Sequence, residues 1–158
     1  MDPKRELLRH AVATVAYRGG KAVRGAPESF AGFGAEPSPR PPVKILAHIG
    51  DLFDWALTQA RGTEAWVDST PLPWHQEIAR FFETLRRFDG YLASDAPTAV
   101  PPERLLQGAI ADALTHVGQL AMLRRLAGIP IRGENYSRAE IVAGRVTDDQ
   151  AAPRREFD

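Results

Sequence analysis

Hydrophobic residues recur three and four positions apart in four long segments of the chain, which is the spacing of amphipathic helices. The segments cover roughly residues 3–17, 42–61, 74–92 and 102–127. In the first segment, for example, Leu8, Val12 and Val15 fall on one face of a helix. The pattern therefore predicts four helices that pack through their apolar stripes.

Prolines and glycines mark the ends of these predicted helices. A proline pair precedes the second segment at positions 41–42 and the fourth at positions 101–102, and proline is tolerated in the first turn of a helix. Gly62 and Gly128 follow the same two segments, in the position that a C-terminal cap occupies. Both segments are therefore expected to begin and end close to these residues.

A long loop is expected between the first two helices. The pair Gly19-Gly20 is expected to end the first helix, and the chain from there to Pro42 is rich in glycine and proline. This is long for a connection inside a compact domain. We therefore expect the loop to wrap around the bundle or to cover a site.

The fold predicted from these elements is all-α, an up-and-down four-helix bundle with a short additional C-terminal helix. We find no alternation typical of strands between the helical segments. Ser137 and Glu140 have the spacing of a capping box and predict the short helix. A single domain is expected over residues 1–158, with its core at about 3–128, a tail at 129–158 and a poorly packed last dozen residues.

Charge and cysteine content exclude several classes of function. Lysine plus arginine and aspartate plus glutamate number 20 each, so nothing favours a nucleic-acid partner, and Arg124-Arg125 is interpreted as a solvated pair. The chain contains no cysteine, which excludes disulfides, thiolate nucleophiles and cysteine-ligated zinc. It shows neither an apolar secretory stretch at its start nor an apolar run of transmembrane length. We expect a cytoplasmic protein without a membrane partner.

The strongest candidate for chemistry is a possible metal site formed by Asp112, His116 and His48. Asp112 and His116 are four positions apart, so their side chains share one face of the fourth helix. His48 is the one histidine of the second helix. If the two helices pack side by side, a carboxylate and two imidazoles converge, and these ligands suit zinc, nickel, iron or manganese.

A purely structural interpretation of the same residues stays open. An aspartate and a histidine at this spacing also form simple surface pairs, worth about 0.2–0.5 kcal/mol. His48 alone on an amphipathic helix is equally compatible with a structural role. Spacing by itself favours this interpretation over metal binding.

The chain resembles the DinB/YfiT-like superfamily of metalloproteins in two stretches. The first is Ile45-Leu-Ala-His48-Ile-Gly-Asp-Leu-Phe-Asp-Trp55, and the second is the run from Asp112 through His116-Val-Gly-Gln-Leu to Gly128. The resemblance covers roughly residues 3–128. It implies a four-helix bundle, often a homodimer, with a divalent metal held by three histidines.

Carried over by position, the resemblance makes His48 the first ligand and His116 the last. The middle position is Asp112, where the family has histidine, so the site is either a two-histidine, one-carboxylate centre or one that has lost tight binding. The implied activity is a metal-dependent thiol transfer with a low-molecular-weight thiol cosubstrate, or hydrolysis, in which the metal activates the thiol or water. The alternative is a non-catalytic, dimeric ligand-binding or stress-associated bundle.

Other polar and aromatic residues are weighed against this site. His75 is expected to face solvent near a helix end, and Asp51 to belong to a solvated carboxylate pair more than to orient an imidazole. Tyr136 either places a phenol near the metal or anchors its loop on the bundle. Gln119 is expected to form a hydrogen bond across helices or near the metal.

Overall fold

The structure, a computed structural model, describes residues 2–34, 36 and 40–157. Four long helices lie in this part of the chain: α1 (Pro3–Val23), α2 (Pro42–Arg61), α3 (Trp74–Ala93) and α4. Helix α4 is continuous and consists of an α-helical turn Pro102–Leu105, a π-helical turn Leu106–Ile110 and an α-helical part Ala111–Leu126. The prediction of an all-α four-helix bundle is confirmed.

The directions of the helices differ from the predicted up-and-down order, because the neighbouring helices α2 and α3 run parallel. Helix α1 packs on α3 and α4, and α2 packs on the same two helices, so α1 and α2 lie diagonally opposite. The carboxylate of Asp89, near the end of α3, binds Arg9 near the start of α1, so α1 and α3 run antiparallel. Arg80 contacts Ala47, and Tyr91 contacts Ala60, so α2 and α3 run parallel.

The parallel pair dictates the path of the connection between α2 and α3. Residues 62–73 leave the C-terminal end of α2 and must return the length of the bundle to reach the N-terminus of α3. This segment, which we call the crossover, contains neither a helix nor a strand. It therefore passes alongside α2 for most of the length of that helix.

Helix α1 is longer than predicted, because Gly19-Gly20 does not end it. The helix continues to Val23. A Cβ atom on Gly19 would lie 2.6 Å from the Cζ atom of Phe81, so the glycine is required by the ring of α3 that packs against it. The glycines therefore allow close packing of α1 on α3 and do not end the helix.

The core lies between the four helices and is filled by aromatic and branched aliphatic side chains. It also takes one side chain from the loop after α1, Phe30, and one from the tail, Val146. The largest fully buried apolar side chains are Trp74, Phe53, Phe81, Phe88, Leu46, Ile49, Leu85, Leu92, Leu105, Ile110 and Leu120. Every helix contributes to one continuous core.

The tail is better ordered than the sequence indicates. Gly133–Glu134 and Glu156–Phe157 form a small antiparallel sheet. The short C-terminal helix is a 3₁₀ turn, Tyr136–Arg138, whose first turn is capped by the side chain of Asn135. The predicted capping box is wrong, because the Ser137 hydroxyl donates to Asn135 and Glu140 pairs with arginines instead.

No helix in the described part of the chain combines the length and the apolar character needed to cross a membrane.

Candidate metal centre

His48, Asp112 and His116 converge between α2 and α4. The Nε2 atom of His48 lies 3.7 Å from Oδ2 of Asp112, and the Nε2 atom of His116 lies 3.4 Å from Oδ1 of Asp112. The two imidazole rings are 4.7 Å apart at their centroids and nearly perpendicular. One donor atom from each residue lies within 4.8 Å of the other two. The three residues thus form a group capable of holding a metal ion.

The π-helical turn of α4 sets the position of Asp112 and His116. This turn ends at Ile110, two residues before Asp112. A π-helical turn contains one more residue than an α-helical turn, which rotates the following residues by about 100° relative to an unbroken α-helix. The turn therefore decides which residues of the last part of α4 face α2, and such turns are frequent at functional sites.

The separations fit a bound divalent ion. Zinc lies about 2.0–2.1 Å from a histidine nitrogen or a carboxylate oxygen, so neighbouring ligands in a tetrahedral site are about 3.4 Å apart. The separations of 3.4 Å from His116 to Oδ1 of Asp112 and of 3.7 Å from His48 to Oδ2 are close to this value, and with one donor atom from each residue all three atoms lie within 4.8 Å. Two imidazoles and one carboxylate also leave coordination positions open for water or another ligand. Both the donor set and its spacing agree with a metal centre.

The protonation of His116 agrees with the same role. Its Nδ1 atom lies 2.8 Å from Oε1 of Gln119. Because that oxygen is an acceptor, Nδ1 donates the hydrogen bond, and in the neutral imidazole Nε2 is then the atom that presents a lone pair towards Asp112. A nitrogen lone pair and a carboxylate oxygen that face each other at 3.4 Å repel each other. A cation bound between them would attract both atoms and so stabilise this arrangement.

The environment of His48 favours its neutral form. Burial lowers the pKa of His48, and the nearby His116 and Arg40 lower it further, against the opposing charge of Asp112. Neutral imidazole is the form that ligates metals. His48 is therefore available as a ligand at neutral pH.

Asp112 is the most exposed member of the group. Its side chain is 47% exposed, against 28% for His48 and 7% for His116. The group is thus open on the side of the carboxylate and closed behind His116.

A cavity opens next to the two imidazoles. It has a volume of about 370 Å³ and is lined by α2, by His116 of α4 and by the crossover. Its lining residues are Arg40, Lys44, Ile45, Ala47, His48, Asp51, Asp68, Ser69, Pro71 and His116. The ring of Trp66, also on the crossover, stands edge-on to His48 at 5.5 Å and to Trp55 at 5.9 Å. The crossover therefore lies beside the site.

The loop after α1 has another role over most of its described length. Phe30 packs edge-on against Trp74 in the core. Among the described residues of this loop, Arg40 lines the cavity, while Ala35 and residues 37–39 lie outside the described residues.

Arg80 of α3 fastens the crossover to the bundle beside the cavity. Its guanidinium binds Oδ1 of Asp51 at 2.5 Å and Oε1 of Glu77 at 3.0 Å. The other carboxylate oxygens of these residues accept backbone N–H groups of the crossover, from Ser69 at 3.0 Å and from Leu72 at 2.8 Å. The interpretation of Asp51 as solvated is wrong, since this residue is 5% exposed.

Two other candidate residues lie away from the site. His75 faces solvent and pairs with Glu28 at 3.5 Å, as expected for a residue at a helix end. The ring of Tyr136 packs edge-on against Tyr17 and beneath Arg18. Tyr136 therefore anchors the tail on α1, which is one of the two roles expected for it.

Sequence reasoning missed two crossover residues that line the cavity, Asp68 and Ser69. The segment shows no helical or strand periodicity that would assign a face to its residues. The length of the segment was an available signal. Twelve residues between two helices are enough for the connection to pass along the bundle, so that the two helices can run parallel.

Comparisons with known proteins do not identify a family. No protein-family model, no curated protein and no solved structure matches the chain.

Proposed function

We propose that this protein binds a divalent metal ion through His48, Asp112 and His116 and uses it in small-molecule chemistry. The observation that carries the proposal is the convergence of three donor atoms from two helices within 4.8 Å, beside a cavity. A simple surface pair of an aspartate and a histidine on one helix does not involve a second imidazole from another helix. The resemblance of the two stretches around His48 and His116 to DinB-like metalloproteins supports the same assignment.

The chemistry follows from what each part of the site does. A divalent ion, when bound, lowers the pKa of a water or thiol that reaches it and stabilises the resulting anion. The chain supplies the rest. Gln119 holds the His116 ring, the 7% exposed side chain of His116 closes the back of the site, and the cavity admits a small molecule next to both imidazoles. We propose a thiol transferase-like or hydrolase-like reaction, for which the thiol would come from a cosubstrate because the chain has no cysteine.

One observation favours the alternative function, a non-catalytic ligand-binding bundle with a degenerate site. The Asp112 side chain is 47% exposed, which leaves this ligand in competition with water. Under this alternative the cavity binds a small molecule without a resident ion. The two functions differ in whether the purified protein retains metal.

The proposal is tested by the metal content of untagged, chelator-free protein, measured by elemental mass spectrometry. We expect near-stoichiometric zinc, nickel, iron or manganese in the wild-type protein. His116→Ala removes one of the three ligands and is expected to lower metal content at least tenfold, with helicity by circular dichroism retained. His75→Ala is the matched control, because His75 is exposed and lies outside the site.

A different result would overturn the proposal. If the wild-type protein holds no metal and gains no thermal stability from added divalent ions, the ligand-binding bundle replaces the metal-dependent function. If His116→Ala retains the wild-type metal stoichiometry, these three residues are not the site.

A further inference from the structure

A second cavity borders the metal centre on the side of Asp112, between α2 and α4. It has a volume of about 460 Å³, and its walls include Leu52 and Trp55 of α2 and Gln107, Gly108 and Asp112 of α4. Among the described residues, none lines both this cavity and the one beside the imidazoles. Because Asp112 is the most exposed of the three ligands, a molecule in this second cavity, which we call the Trp55 cavity, reaches the metal centre from its open side.

The indole ring of Trp55 is held in place as a wall of this cavity. Its Nε1 atom donates a hydrogen bond to Oε1 of Glu64 at 3.2 Å, and the ring of Trp66 lies nearly perpendicular to it at 5.9 Å. The other carboxylate oxygen of Glu64 pairs with Arg104 of α4 at 3.4 Å. A ring that is already oriented loses little conformational freedom when a ligand packs on it.

Gly108 keeps the space next to this ring open. It lies in the π-helical turn Leu106–Ile110, and a Cβ atom placed on it would be 3.7 Å from Cζ3 and 3.9 Å from Cη2 of Trp55. These are ordinary van der Waals distances, so a methyl group fits there and a longer side chain would extend into the cavity. The π-helical turn therefore affects the site in two ways, because it sets the direction of Asp112 and presents a glycine to the indole ring.

The charges of the Trp55 cavity favour an uncharged ligand. Among the lining residues that the structure describes, Asp112 is the only ionisable one, and a bound divalent ion balances its charge. The remaining walls are an indole ring, the aliphatic side chain of Leu52 and neutral polar groups. Aromatic rings pack favourably on an indole, both by burying apolar surface and through edge-to-face or offset stacking.

We propose that the molecule that reacts at the metal centre carries an aromatic ring, which packs on Trp55 in this cavity while the reactive group lies at the metal ligands. The volume of about 460 Å³ is within the range for small-molecule pockets, about 300–1,000 Å³. This inference rests on the proposed function, since it names the class of substrate for the same site.

The test compares three hydroxamates that share one metal-binding group and differ in the group beside it: benzohydroxamate, cyclohexanecarbohydroxamate and acetohydroxamate. Each is titrated by calorimetry into the zinc-loaded wild-type protein and into variants of the cavity. We expect the wild-type protein to bind benzohydroxamate at least about tenfold more tightly than acetohydroxamate, because the phenyl ring is buried against Trp55. The cyclohexane probe is expected to bind with intermediate affinity, since it buries apolar surface without stacking of aromatic rings.

Two variants remove the proposed ring site in different ways. Trp55→Leu removes the indole ring, and Gly108→Leu fills the space beside the ring while the ring itself is kept. Each variant is expected to lose most of the preference for benzohydroxamate and to bind acetohydroxamate as the wild type does. The preference is compared between proteins, so that intrinsic differences between the probes as zinc ligands cancel.

Gly90→Leu is the matched control for Gly108→Leu. Gly90 is an exposed glycine of α3, and among the described residues a Cβ atom added to it would have open space. It lies outside the cavity, so this variant is expected to keep the wild-type preference. If Trp55→Leu does not fold, Gly108→Leu decides the test, since it keeps every side chain of the core.

Two results would overturn the inference. The first is equal affinity of the wild type for benzohydroxamate and acetohydroxamate, or the wild-type preference retained in Gly108→Leu. The second is benzohydroxamate bound no more tightly than the cyclohexane probe, which would show burial of apolar surface alone and remove the assignment of an aromatic ring.

Failure of the proposed function gives a different result from failure of this inference. The first is read from the zinc content of the wild-type protein. If that protein binds no zinc, benzohydroxamate and acetohydroxamate are titrated into the metal-free protein and followed by NMR at the indole N–H of Trp55, assigned by its absence in Trp55→Leu. A shift caused by benzohydroxamate alone and lost in Gly108→Leu supports the ring site, and equal shifts or no shift with both probes contradict it.

Discussion

His116 and His48 are held in position by different contacts. The His116 ring is 7% exposed and is fixed by a hydrogen bond between its Nδ1 atom and Oε1 of Gln119. The His48 ring is 28% exposed and is packed between the rings of Trp66 and His116. A hydrogen bond sets both the tautomer and the orientation of an imidazole, whereas ring packing limits its orientation alone. Gln119 is therefore the residue outside the ligand group with the most direct effect on it.

Replacement of Gln119 by leucine is expected to weaken metal binding by about 10–100-fold, which is the usual effect of losing such a partner. The side chain volume is kept, so the fold is expected to be retained. Gln119→Glu is the matched control, because its carboxylate still accepts the Nδ1 proton. Affinity is measured by competition with a chromophoric chelator. Equal affinities for the wild type and Gln119→Leu would show that this hydrogen bond does not orient a ligand.

The ligand group itself could be predicted from the sequence, but the contacts that hold the crossover beside it could not. Asp112 and His116 share a helix face through their spacing, which periodicity reveals directly. Asp51 looks like one of several solvated carboxylates in the sequence, because its partner Arg80 is 29 residues away. A contact of this kind depends on the packing of α2 on α3, about which local patterns carry no information. The roles of His48, Asp112 and His116 as metal ligands stay a prediction.

At the scale of whole elements, periodicity predicted the four helices but not their directions. An apolar stripe shows that a helix is buried on one face and is the same whichever way the helix runs. The parallel α2–α3 pair and the resulting path of residues 62–73 therefore came from the structure alone. The π-helical turn Leu106–Ile110 also escaped prediction, since one extra residue in a turn hardly disturbs a helical pattern.

Replacement of Arg80 by methionine is expected to release the crossover and to lower the free energy of unfolding by about 3 kcal/mol. Loss of the guanidinium leaves the carboxylates of Asp51 and Glu77 buried without their counter-charge, and breaking a buried pair from one side costs about 3–5 kcal/mol. Chemical denaturation measures the stability, and hydrogen exchange at Ser69 and Leu72 measures the release.

The matched control for Arg80→Met is Arg86→Met, at an exposed arginine of the same helix. Its ion pair with Glu83 is open to solvent, so the free energy of unfolding is expected to change little or not at all. Wild-type protection of the Ser69 and Leu72 amides in Arg80→Met would show that other contacts hold the crossover in place.

At the scale of the whole molecule, the tail is joined to the bundle through a network of polar groups around Lys21. The Lys21 ammonium binds Glu134 at 2.7 Å and Glu156 at 2.8 Å, and the hydroxyl of Tyr17 donates to Glu134 at 2.7 Å. Arg124, which the sequence suggested was solvated, is 7% exposed and donates to the backbone carbonyls of Ala22 and Arg24. The sequence could not reveal these long-range pairs, since each partner is polar and unremarkable in its own segment.

The ion pair between Lys21 and Glu156 makes docking of the tail sensitive to acid. The hydrogen bond from Lys21 holds the pKa of Glu156 below its ordinary value of 4.5. A carboxyl group with a lowered pKa stabilises the folded state above its ordinary pKa, and this contribution disappears as the pH falls through the lowered value. We therefore expect docking of the tail to weaken as the pH falls below 4.5.

The measurement is an NMR titration of the Asn135 amide, whose N–H donates to the carbonyl of Arg155 next to the small sheet. Glu156→Gln is expected to remove the transition below pH 4.5, because an amide does not titrate. Glu103→Gln is the matched control, since Glu103 pairs with Lys4 near the other end of α1 and lies away from the tail. A wild-type midpoint above pH 4.5, or the same transition in Glu156→Gln, would mean that a group other than Glu156 controls docking of the tail.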